Sequence, residues 1–266
     1  MSVRKGESAS ESAVVWTNLA QLLALFGTFP PSRFLRDESG AVFFDGGVRS
    51  AYENYALLPS VPHDHQGLFD ALDRGIVFHA EGRTPHIWPL FPGLPEETPT
   101  CLTAAGARRD DVFRAMLCDI EPCADTNPPA DVERISRDDA PAWADTVWYG
   151  FDSGAPAPPA FRIFAESAAA CDALSLFRIR TSAHTAVAAM LFVDENERTG
   201  GIYYVATRPE FRRRGLADRM MRGLLAESRA SGCKRCALLA TPAGLPLYQK
   251  HGFRDVGEIP IYAFGQ

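Results

Sequence analysis

The sequence carries no excess of positive charge, no long apolar run and few cysteines, and each shortage removes a class of protein. Lysine and arginine number 27 against 33 acidic residues, a formal net charge of −6. Phosphate backbones select basic proteins, so nucleic acid is not expected as a partner. The most apolar stretch, Ala13 to Phe29, contains Asn18 and Gln21 and follows Glu7 and Glu11. It falls short of the roughly 18–20 apolar residues of a spanning helix and is no clean signal core, so an amphipathic surface helix and no membrane are expected. Six cysteines (Cys101, Cys118, Cys123, Cys171, Cys233 and Cys236) imply no disulfide framework, and a reducing compartment, the cytoplasm, is the expectation. Cys233-Lys-Arg-Cys236 has metal-like spacing but lacks a second pair in its own half, and Cys236 to Ala240 reads as a buried strand. His63-x-His65 has no third ligand nearby, so no metal site is expected. Also missing are G-x-x-x-x-G-K-[ST] and G-x-G-x-x-G, which excludes the common nucleotide loops.

What is present is a phosphate-binding pattern of another kind. A strand-like run, Ile202 to Ala206, leads into Arg208-Pro209-Glu210-Phe211-Arg212-Arg213-Arg214-Gly215-Leu216-Ala217, and an amphipathic helix pattern continues to Arg229. Backbone N–H groups at a helix start are unpaired and the helix dipole favours anions there. Gly215 tolerates unusual φ and lets a ligand approach, and the arginines offer charge-assisted donors.

Arg212-x-x-Gly215-x-Ala217 resembles the signature of the GNAT superfamily of N-acetyltransferases. Tyr204 to Phe211 is similar to that family's fourth strand and the turn after it, and Leu247-Tyr248-Gln249-Lys250-His251-Gly252-Phe253 resembles its Leu-Tyr-x-x-x-Gly-Phe segment. The resemblance covers about residues 131–266. It implies a mixed α/β (α+β) chain whose C-terminal half has the GNAT acyl-CoA N-acyltransferase fold. It also implies acetyl-CoA as cosubstrate and direct transfer to the amine of a small molecule or peptide.

The same resemblance assigns roles. The pantetheine pairs with the strand edge at Val205, Ala206 and Thr207, and the pyrophosphate lies on Arg212, Arg213, Arg214, Gly215, Leu216 and Ala217. Arg208 and the extra arginines are all within reach of the 3′-phosphate, and the sequence does not say which one meets it. Tyr248 takes the place of the family tyrosine that donates to the departing thiolate; a phenol of pKa about 10 is protonated at pH 7. Some relatives place a glutamate at the start of the fourth strand, where this chain has Gly200-Gly201. Glu195, Glu197, Asp152, Glu166, His184 and a water chain remain as proton acceptors, and His251 reads as a helix-end residue. Thr241 to Gly244 lacks an asparagine that many relatives carry.

The organisation divides at a Pro-rich linker, Glu121 to Ala130, into an N-terminal domain (1–130) and a catalytic domain (131–266). For the first half the pattern predicts a polar, frayed start to Ser12 and a helix to Phe29. Strands are expected at Ala41–Phe44 and Ala51–Leu58, then a helix His65–Arg74 and buried strands at Ile76–Ala80 and Val112–Ile120. This half lacks the Arg-x-x-Gly-x-Ala signature. It is either a degenerate GNAT-like unit or an unrelated α+β domain; Ala105-Gly106-Ala107 before a strand parallels Gly252-Phe253 before the last one. The second half predicts β-α-α-β-β-β-α-β-α-β. A non-catalytic acyl-CoA sensor and an enzyme using a longer acyl-CoA are the competing functions. Nothing in the sequence specifies the acceptor or the oligomeric state.

Overall fold

The computed structural model describes residues 5–59, 65–82, 84–120, 128–151, 154–181 and 184–265. The chain runs α1 (Lys5–Phe26), β1 (Arg33–Arg36), β2 (Val42–Asp45), β3 (Asn54–Leu57), α2 (His65–Gly82), β4 (His86–Pro89), α3 (Thr98–Ala104), β5 (Arg108–Asp119) and β6 (Val132–Arg134). It continues as α4 (Ala140–Gly150), α5 (Pro159–Ala169), β7 (Leu174–Arg180), β8 (Thr185–Asp194), β9 (Thr199–Thr207), α6 (Leu216–Ala230), β10 (Arg235–Ala240), α7 (Leu245–Lys250) and β11 (Arg254–Phe264). Two compact units result: Met1–Met116 with Ala240–Ala243 and Asp255–Gln266, and Leu117–Leu239 with Gly244–Arg254. Most of the expected linker, residues 121–127, lies outside the described residues.

In the first unit the strand order is β1-β2-β3-β4-β11-β5. β1, β2 and β3 form an antiparallel meander, with Phe34 opposite Phe44 and Phe43 opposite Ala56. The chain then crosses through α2 into β4, which is parallel to β3 at Tyr55 and Ile87. The core gathers Phe43, Leu68, Leu72, Phe78, Trp88 and Leu102.

Several expectations need correction here. α1 begins at Lys5, so the polar segment up to Ser12 is helical, and Ser12 is buried. Ile76–Ala80 is not a strand but the end of α2, which runs on to Gly82. A short apolar run has no periodicity of its own to separate strand from helix. Gly75 looks like a break but is a contact: a Cβ there would lie 2.6 Å from the Trp88 ring. The strand expected at Ala51–Leu58 starts only at Asn54, after a 3-10 turn at Ala51–Glu53, and the Pro-rich stretch 85–99 holds β4 and leads into α3. Proline ends the strand at Pro89 and enters α3 in its first turn, where no N–H is needed.

The second half of the chain keeps the expected element order, but its last strand, β11, belongs almost wholly to the first unit. The strands of the second unit lie β10-β9-β8-β7-β6, antiparallel from β6 to β9 and parallel from β9 to β10 across α6. β8 is almost wholly buried, and α4 and α6 pack on it. That explains its unbroken apolar run, Ala186 to Val193. Met220, Met221 and Leu224 form the inward stripe of α6 at helical spacing, while Arg222 is exposed. Cys233 and Cys236 are buried, and burial pushes both thiols up. Among the described residues, no helix is long and apolar enough to cross a membrane.

Candidate active site

The site is built around a fault in one strand. β8 and β9 pair regularly at Val187–Thr207 and Ala188–Ala206, then resume at Met190–Tyr203. Ala189 therefore faces two residues, Tyr204 and Val205, which is a β-bulge. Tyr204 has φ +53°, a conformation that costs a non-glycine residue about 1–2 kcal/mol. Several interactions hold it, among them the following. The indole Nε1 of Trp143 donates to the Ala189 carbonyl at 3.1 Å. The Tyr204 ring also sits edge-on to Trp143 and Phe161, each 5.7 Å away.

The bulge lies where β9 loses its other neighbour. β9 and β10 pair only at Thr199–Arg235, Gly200–Cys236 and Gly201–Ala237. From Ile202 onward β9 has no partner in β10, so Val205, Ala206 and Thr207 run along an open edge ending at the arginine loop. Val205 and Thr207 are half-buried and Ala206 is buried.

After Thr207 the chain makes a tight turn, Pro209–Phe211, and enters α6 through Arg213 (φ +60°) and Gly215 (φ +74°). No side chain caps this helix start, so its first N–H groups, at Leu216 and Ala217, face outward as donors. The arginines have separate tasks. Arg212 donates to the Gly150 carbonyl at 2.7 Å and to that of Thr207 at 3.2 Å, pinning the loop to the ends of α4 and β9. Arg214 donates to the Glu210 carbonyl at 2.9 Å and lies over the Phe211 ring. Arg213 is exposed and has no side-chain partner among the described residues. Arg208 lies 4.5 Å over the Tyr149 ring and pairs with Glu210 at 2.9 Å.

Tyr248 sits in the middle of α7, buried and edge-on to Phe253. Burial pushes its phenol up to about 12, so it is protonated throughout the physiological range. Of the proton acceptors considered, Glu195 and Glu197 lie in the β8–β9 turn. That is the far end of β9 from the loop, about 25 Å away at strand rise. Glu166 pairs with Arg137. His184 is exposed with its ring 6.3 Å from Phe211, and Asp152 lies outside the described residues. His251 is a helix-end residue bonded to Asp218 at 3.1 Å. Sequence reasoning did not single out the Trp143–Ala189 bond or Asp218.

The open strand edge of β9 thus leads directly into the uncapped start of α6. Residues 141–253 match the family model described as acetyltransferase (GNAT) family, and the chain carries a GNAT acetyltransferase domain. Solved structures extend the fold likeness to the whole chain. A GCN5-related N-acetyltransferase from Kribbella flavida superposes with TM-score 0.64 at 15% identity, covering 95% of each chain. One from Sphaerobacter thermophilus gives 0.58 at 14%, covering 97% of this chain and 93% of that one. The glucosamine N-acetyltransferase region of a fungal multi-domain β-N-acetylglucosaminidase gives 0.56 at 15%, covering 98% of this chain and 37% of that one. At these identities the likeness is one of fold. No curated protein matches the sequence.

Proposed function

We propose that the protein is an N-acetyltransferase that moves an acetyl group from acetyl-CoA directly to the amine of a small molecule or peptide, in the cytoplasm. The observation that carries this reading is the unpartnered end of β9 running into the uncapped start of α6. An extended pantetheine chain would add to the strand edge at Val205–Thr207 as a further strand does. The pyrophosphate would meet the N–H groups from Arg213 to Ala217 and the exposed guanidinium of Arg213. Arg212 and Arg214 act from behind, holding the loop in shape.

In the reaction the amine nitrogen attacks the thioester carbonyl, the C–S bond breaks and the amine gives up a proton. The sulfur leaves as a thiolate whose developing charge would accept a hydrogen bond from the Tyr248 hydroxyl, which burial keeps fully protonated. A thiol is more acidic than this phenol, so the phenol serves chiefly as a hydrogen-bond donor to developing charge. No carboxylate stands at Gly200-Gly201, so water is the first acceptor for the amine proton.

The topology supports reading the first unit as a second, cofactor-free copy. It too has an antiparallel meander, a helical crossover and a parallel strand. It also repeats the short helix, left-handed glycine and long strand: α3, Gly106 and β5 beside α7, Gly252 and β11.

Thiol release from acetyl-CoA, measured with a panel of amines, tests the reading. Tyr248→Phe should lower kcat by about tenfold or more with little change in coenzyme A affinity. Calorimetric coenzyme A binding without thiol release from any amine would assign a sensor instead, and faster turnover of longer acyl chains would reassign the donor.

A further inference from the structure

Tyr248 is central to the proposed chemistry, yet its hydroxyl makes no hydrogen bond among the described residues. Its helix, α7, has six residues, too few to be stable alone. The placement of Tyr248 therefore depends on what holds α7. Two polar side chains tie down its C-terminal end, and both reach the same carboxylate oxygen. Lys250 Nζ lies 2.6 Å from Oδ1 of Asp218, and His251 Nε2 lies 3.1 Å from it. Arg222, one turn along α6, donates to Oδ2 at 2.8 Å. The tie continues through the backbone, because the His251 N–H donates to the Tyr248 carbonyl at 3.0 Å.

Asp218 is the third residue of α6 and so belongs to the first turn, whose N–H groups are the proposed phosphate site. A bare carboxylate there would repel a pyrophosphate. Lys250 and Arg222 neutralise it, and the Lys250 ammonium holds its carboxyl below the usual range, so it stays ionised. His251 is nearly buried, and burial keeps its ring neutral near pH 7, with Nε2–H as the donor.

We propose that Asp218 is a positioning residue: one carboxylate fixes the end of α7, and with it Tyr248, to the first turn of α6. The thiolate donor and the phosphate loop thereby keep a constant spacing. This rests on the reading of Tyr248 as that donor.

The test compares Asp218→Asn, Asp218→Glu, Tyr248→Phe and the Asp218→Asn/Tyr248→Phe double variant in the full chain. Asp218→Asn should lower kcat about tenfold while KM for acetyl-CoA stays within about twofold, and Asp218→Glu should keep at least a third of the activity. The double variant should be no slower than Tyr248→Phe, because a residue acting only through Tyr248 has nothing left to lose in its absence. Hydrogen exchange gives a readout independent of activity. Amides of 247–252 should exchange about tenfold faster in Asp218→Asn, with β7 and β8 unchanged. Additive losses in the double variant, kcat and KM moving together, or a uniform loss of protection would overturn the proposal. If the wild-type chain releases no thiol, or Tyr248→Phe is fully active, the donor reading fails and the exchange data alone judge the tie.

Discussion

The β3–α2–β4 crossover of the first unit and the β9–α6–β10 crossover of the second share a topology and differ in the segment that leaves the first strand. After β9 come a half-exposed strand end, an arginine loop and a left-handed glycine. The segment after β3 reads Leu58-Pro59-Ser60-Val61-Pro62-His63-Asp64, with neither an arginine nor a glycine. β4 is buried throughout, and Trp88 on it packs with Leu68, Leu72 and Phe78 of α2. In the second unit Tyr203, Val205 and Thr207 remain half-open. The same crossover becomes core where large apolar side chains fill it, and a candidate ligand cleft where a glycine and unpaired N–H groups line its mouth.

Gly215→Val should break this contrast most strongly. At φ +74° a β-branched residue is strained by about 1–2 kcal/mol. A Cβ there meets no described residue beyond its chain neighbours within 4 Å, so the bulk would project into the space assigned to the pyrophosphate. Coenzyme A affinity, measured calorimetrically, should fall about a hundredfold, roughly 2.7 kcal/mol. A change below threefold would sink the loop assignment.

Features with local causes were readable in advance. The order of elements from β6 to α7 was readable because prolines, turn residues and strict periodicity bound them. The loop was readable because glycine and arginine report backbone and charge directly. What escaped depended on partners distant in sequence. The Trp143–Ala189 bond spans 46 positions, and the Asp218–His251 bond spans 33. The helical state of Ile76–Ala80 comes from packing on Trp88 and Phe43, which no local window contains. The division of labour among Arg212, Arg213 and Arg214 also needed coordinates, since all three look alike in sequence.

The histidines sharpen the comparison from the other side. His79 and His86 stack at 4.0 Å in the first unit, and His86 stacks in turn on Phe264. Burial lowers His79 to about 3 and His86 to about 4. An unfolded histidine titrates near 6.5, so below that pH the unfolded chain binds more protons. Stability present above pH 6.5 is therefore lost as pH falls toward 4. Between pH 6.5 and 5.5 the pair should cost about 2 kcal/mol, read from urea unfolding at each pH. His251 in the second unit shifts the same way, but Asp218 opposes its shift. His86→Phe should therefore halve the acid slope of the first unit; an unchanged slope would place the titration elsewhere.

Trp143→Phe probes how the bulge is held open. The ring is kept, but the Ala189 carbonyl loses its buried donor, a loss worth about 1–2 kcal/mol. Because Tyr204 then has less to hold it at positive φ, KM for acetyl-CoA should rise about threefold to fivefold. A loss of stability with KM unchanged would separate the bulge from the cleft.

The smallest expected effect divides the arginines. Arg213 is exposed, without a side-chain partner among the described residues, and at φ +60°. No described residue pairs with its side chain, and glycine would remove the backbone strain while adding freedom to the unfolded chain. Those two terms are each about 1 kcal/mol and opposite in sign. Arg213→Gly should therefore leave the thermal midpoint nearly unchanged and weaken coenzyme A binding about twofold to fivefold, with the difference shrinking in salt. Arg212→Ala should do the reverse, lowering the midpoint because the Gly150 and Thr207 carbonyls lose their donor. If Arg213→Gly lowered stability and left binding alone, the Arg213 guanidinium would be a surface group outside the site, and the phosphate site would rest on backbone N–H groups.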